Sequence, residues 1–152
     1  MGRATLGVIA GLAVVCVLLF LTFAALLMVL GESKTFMPGT FETSVTFNAA
    51  ALFLGFLACM AGGMACRLVS RARGPVIVLA VLLFAVFTGL SLVQYQFADT
   101  GVRSTLVGVY EGFARARYPA WFAMTLPLLA VMGSLAGGGV VSEDATRVVT
   151  IE

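Results

Sequence analysis

The sequence predicts an all-α integral membrane protein, a single domain built as a four-transmembrane-helix bundle, and three observations carry that expectation. The 152-residue chain is 61% hydrophobic and 11% charged, with a mean hydropathy of +1.11, whereas a soluble domain is about one-quarter charged. Four apolar runs, residues 4–30, 44–69, 75–97 and 118–141, each reach the roughly 20 residues that a helix needs to cross the hydrocarbon. The few charges lie between these runs rather than in a block, and the net charge of +2 gives no footprint for nucleic acid.

The first run, 4–30, follows Arg3. A cleaved signal peptide has an apolar core of about 7–15 residues and a small-residue cleavage site. This run is longer, and residues 28–33 offer no such site, so it reads as a retained membrane helix. Residues 32–43 form a polar loop whose turn signal is Met37-Pro38-Gly39.

The second run, 44–69, is the one around which the others are expected to pack. Ala51, Gly55, Cys59 and Gly63 recur every four residues, and Ala58, Gly62 and Cys66 make a second row beside them. Residues four apart share a helix face. In lipid, small residues let backbones approach closely, and that packing drives association. Gly55, Cys59, Gly62 and Gly63, with Gly137 and Gly138 in the fourth run, are therefore the candidate residues for helix packing or a partner interface. Cys59 and Cys66 lie roughly 10 Å apart along one helix, too far for a disulfide. Together with Cys16 they read as packing residues.

Arg67, Arg71 and Arg73 cluster at the end of the second run, and Gly74-Pro75 breaks it. Proline suits the first turn of the third helix, and the tight link predicts that helices two and three are an antiparallel pair. The third run ends near Asp99-Thr100-Gly101. Within residues 103–116, Leu106, Tyr110 and Phe113 recur at three- and four-residue steps, the pattern of a short interfacial helix. Tyr118, Pro119 and Trp121 open the fourth run, and Trp121 suits the membrane–water boundary. Pro127 is expected to kink that helix, and residues 142–152 form a polar tail.

Residues 57–63 and 132–138 share the order large, small, small, large, Ala, Gly, Gly. The halves thus read as two parallel-repeated helical hairpins, with helices two and four facing each other through their glycines and Gly63 equivalent to Gly138. Arg67, Arg71 and Arg73 in a short connection predict that this end, with both termini, faces the cytoplasm of a bacterial inner membrane.

Chemistry has little to work with. The chain has no histidine, which argues against a histidine-ligated haem or (bacterio)chlorophyll. No other cofactor and no metal is expected, and bound lipids are. No acid lies mid-span, where ion-coupled transporters usually carry ionisable groups. The expected function is accordingly non-catalytic, that of a structural or accessory subunit packing against other integral membrane subunits or copies of itself. The alternative is a small oligomeric channel or transporter whose pore is lined by Asn48, Thr46 and Thr88. Thr46-Phe47-Asn48 followed by Phe53-Leu54-Gly55 resembles the second helix of the small four-span fluoride channels. That resemblance covers about ten residues and implies the channel alternative. Residues 85–90 depart from the family's Gly/Thr/Phe-rich stretch in the third helix, so it is not adopted.

Overall fold

The computed structural model describes residues 2–96 and 115–140. It is an all-α bundle of four long helices: α1 (Gly2–Leu30), α3 (Val45–Ser70), α4 (Gly74–Gln96) and α5 (Ala120–Val140), with a single-turn helix α2 (Glu32–Thr35) after α1. All four long helices are apolar enough to cross a bilayer, and the protein is an integral membrane protein. The expected interfacial residues Leu106, Tyr110 and Phe113, and the 142–152 tail, lie outside the described residues.

Local chemistry sets the helix ends. Gly31 closes α1 with a φ of 70°, its N–H donating to the Leu27 carbonyl at 3.0 Å. This is the left-handed cap that glycine adopts without a Cβ penalty. Pro38 and Gly39 (φ 73°) make the next turn, with Thr40 N–H donating to the Met37 carbonyl at 3.2 Å. Ser44 caps α3, its hydroxyl accepting from the Phe47 N–H at 3.2 Å. At the other end Arg71 takes the left-handed conformation (φ 55°), and its N–H donates to the Arg67 carbonyl. Residues 71–73 then lead directly into α4.

Round the bundle the order is α1, α3, α5, α4, so that α1 and α5 flank α3 on opposite sides and α4 packs mainly on α5. The tight α3–α4 link does make these two antiparallel, but their packing on each other is slight. Their packing is slight because both flanks of α3 are already taken.

Those flanks are the two small-residue rows. Toward α1, a Cβ added at Gly11 would lie 2.8 Å from the Gly62 carbonyl oxygen, and one at Gly7 would lie 2.9 Å from that of Cys66. Toward α5, a Cβ added at Gly133 would lie 2.8 Å from the Phe56 carbonyl oxygen. At Gly63 and Gly137 the collision is closer still, with the backbones of Ser134 and Met60. All of these approaches fall in the half of the bundle that carries Arg67, Arg71 and Arg73. There the core is built on Val15, Cys59, Cys66, Leu79, Leu83 and Ala130. Toward the first loop it becomes aromatic, with Phe23 and Phe47 edge to face at 5.5 Å and Phe36 buried beside them. Glycines bring the helices together at one end, and rings fill the wider space at the other.

The facing glycines do not keep the register of the sequence repeat. Gly63 meets α5, whereas its counterpart Gly138 meets Val76 of α4. Gly62 meets α1, whereas Gly137 meets α3. Cys59 and Gly63 instead correspond in role to Gly133 and Gly137, one residue earlier than the sequence match. One residue turns a helix face by about 100°, so the expected equivalence of Gly63 and Gly138 fails.

These environments rank the substitutions. Gly63→Ala drives a methyl into the Ser134 backbone, which cannot swing aside, and overpacking of this kind costs about 1–3 kcal/mol. Gly55 has only Leu19 and Leu126 nearby, at 3.7 and 3.8 Å, so Gly55→Ala should change stability by less than about 0.5 kcal/mol. Gly138→Ala displaces only the Val76 side chain and should fall between them. Thermal unfolding in mild detergent checks the order.

Candidate functional site

Two constellations gather the candidate residues. The first is the hub on α3. Gly55, Cys59, Gly62 and Gly63 are all buried, as are Gly137 and Gly138 on α5. The chain's own α1, α4 and α5 fill this surface. As a surface for another protein it is therefore closed in this structure, because backbone already sits where a partner would have to approach.

The second lies at the first-loop end and is polar. Asn48 is fully buried one turn into α3. Its Oδ1 accepts from the Thr43 hydroxyl at 2.8 Å, and its Nδ2 donates to the Thr43 carbonyl at 3.2 Å. The backbone N–H of Thr43 donates to the Arg117 carbonyl at 2.9 Å, and the Arg117 N–H donates to the Phe41 carbonyl at 2.9 Å. Thr35, also fully buried, donates its hydroxyl to the Gly31 carbonyl at 2.8 Å and accepts the Ser44 N–H at its own carbonyl. The first loop, the entry to α5 and the start of α3 are thus tied through one node. Its surroundings are aromatic: Arg115 lies 5.0 Å over the Phe41 ring, and Tyr118 stacks on Phe122 at 4.6 Å. Burial pushes the Tyr118 phenol above its usual pKa, so it stays neutral.

The node gives Asn48 a different setting from a pore wall. Both ends of its amide are bonded to Thr43, and it faces the folded-in loop. Thr46, two residues earlier, is exposed, and Thr88 is half-buried on α4. Trp121 is 45% exposed at the first turn of α5. Among the described residues, every buried side-chain nitrogen and oxygen has a hydrogen-bond partner, and no three His, Cys, Asp or Glu gather in metal-binding geometry. The partners of Asn48 were not singled out from the sequence. The available signal was Thr43 and Asn48 bracketing a serine cap, a pattern that places a polar side chain beside the turn before a helix.

No family model matches this chain, and neither a curated protein nor a solved structure does.

The node makes a stability prediction. Asn48→Ala takes the amide donor from the buried Thr43 carbonyl, while the Thr43 hydroxyl keeps the Arg117 carbonyl at 3.0 Å, and the lost partner costs about 1–3 kcal/mol. Thr43→Ser keeps the hydroxyl and should cost less than Thr43→Val. Limited proteolysis of the first loop reports the loosening: cutting should speed up in Asn48→Ala and Thr43→Val but not in Thr43→Ser.

Proposed function

We propose that this chain is a non-catalytic structural or accessory subunit of a bacterial inner-membrane complex, with both termini in the cytoplasm. The observation that carries the reading is how its interior polar groups are spent. Buried Asn48 is bonded to Thr43, buried Ser134 to the Ala130 carbonyl, and half-buried Ser91 to the Phe87 and Ala123 carbonyls. Each of these bonds stabilises the bundle itself and presents nothing to a substrate. Because the hub on α3 is consumed internally, contact with another subunit falls to the outward apolar faces. On α4 these include Ile77, Val81, Phe84 and Leu90, all exposed. The orientation rests on Arg67, Arg71 and Arg73 beside a short connection. The alternative, a small oligomeric channel, would need Asn48 released from Thr43.

Solubilised gently from native membranes, the chain should migrate in an assembly larger than its own 15.9 kDa and carry a stoichiometric integral membrane partner or further copies of itself. A lone monomer would contradict the subunit reading, and selective ion flux from liposomes holding only the pure chain would establish the channel instead. Orientation is checked in intact cells with an impermeant thiol reagent: Ser33→Cys should label and Ala72→Cys should not.

A further inference from the structure

Pro127 lies inside α5 and has no N–H to give the Ala123 carbonyl one turn earlier. Inside a bilayer a freed carbonyl needs another donor. The structure supplies one from the neighbouring helix: the Ser91 hydroxyl of α4 lies 3.2 Å from the Ala123 oxygen, sharing its proton with the Phe87 carbonyl at 2.8 Å. A second feature softens the same turn. The Thr125 hydroxyl donates to the Trp121 carbonyl at 2.6 Å, a bond that competes with the helix and bends it.

The two halves of α5 are held differently. On the far side of Pro127 from the first loop, Gly133 and Gly137 press directly on the α3 backbone. On the near side, what α5 brings to a Cβ placed at Gly55 is the Leu126 side chain at 3.8 Å, an ordinary contact. The polar ties there are Ser91 to Ala123, Gln94 to the Ala116 carbonyl at 3.4 Å, and the backbone pairing of Arg117 with Phe41 and Thr43, and Ala116 and Tyr118 pack against the aromatic core of Phe23, Phe36 and Phe47.

We infer that residues 115–126 form a hinged arm that pivots at Pro127 and is latched to α4 by Ser91. With the latch made, Phe122 and Ala123 stay buried. With it broken, the arm swings away from α3 and carries the lipid-facing Trp121 and Met124 with it. This device stands on its own bonds and does not depend on the subunit reading. From Ala120 to Leu126 the arm is about 10 Å long at 1.5 Å per residue, so a bend of about 20° at Pro127 moves its tip by about 3–4 Å.

The test is a pair of spin labels at Met28→Cys and Met124→Cys in the full chain, in a lipid bilayer, with Cys16, Cys59 and Cys66 replaced by alanine. Both label sites are exposed, at 76% and 75%. A second pair at Leu6→Cys and Leu135→Cys reports the pinned half. Ser91→Ala should add a longer-distance population to the first pair and leave the second pair unchanged. Ser91→Thr should keep the single closed distance, and Pro127→Ala added to Ser91→Ala should restore it, because residue 127 then donates to Ala123 itself. Pro127→Ala alone should slow hydrogen exchange across residues 123–128. An unchanged first pair in Ser91→Ala, equal broadening of both pairs, no restoration by Pro127→Ala, or unchanged exchange in the single variant would each overturn the hinge.

Discussion

Backbone carbonyls of α3 lie against α1 on one flank and against α5 on the other, at distances that leave no room for a Cβ. In water such closeness would matter less, because burying larger side chains would itself drive the helices together. In lipid, leucine gains nothing by moving from the acyl chains to a helix interface. Contact then has to come from dispersion between surfaces that fit, and glycine gives the flattest surface. Val15 seated at Gly62, and Ser134 at Gly63, show the outcome: each helix reaches the backbone of α3 rather than its side chains. Because both flanks are used, α4 is left to pack on α5 and α1, and the order round the bundle follows.

The remaining architecture is a consequence of where the glycines stop. Beyond Gly55 toward the first loop α3 carries no glycine, and Phe23, Phe36, Phe47 and Phe122 are buried there. That end is closed by the first loop folding in over the rings, anchored by Asn48. A buried amide is costly unless both its ends are bonded, and Thr43 meets both. The same rule accounts for Ser91, which serves the carbonyl that Pro127 leaves without a donor. The bundle thus divides into a half fixed by backbone contact and a half held by a small set of hydrogen bonds and aromatic packing.

Much of this was legible in the sequence. Four runs of spanning length gave the helices, and the spacing of Gly55, Cys59 and Gly63 beside Gly62 and Cys66 marked α3 as the helix with a bare flank on which others pack. Met37-Pro38-Gly39 marked the first-loop turn by its chemistry, whereas the Gly31 and Ser44 caps emerge only from the folded chain. What pattern alone could not give was which helix meets which flank. Composition matches between 57–63 and 132–138 suggested one register, and the packed faces take another, because a shift of one residue preserves small-residue content while rotating the face. Asn48 looked like a pore residue because a lone amide in an apolar run has no visible partner in the sequence. Its partner came from a loop whose path depends on the turn at Gly39 and the pairing with Arg117. Ser91 was equally silent: only the position of α4 beside Pro127 gives it a role.

The native cysteines allow the central claim, that α3 is held on both flanks by backbone contact, to be tested directly. Cys59 lies on the flank toward α5 and Cys66 on the flank toward α1, both buried, whereas Cys16 is exposed. In native membranes a lipid-soluble maleimide should label Cys16 and spare Cys59 and Cys66. Labelling of Cys59 or Cys66 as readily as Cys16 would contradict the account.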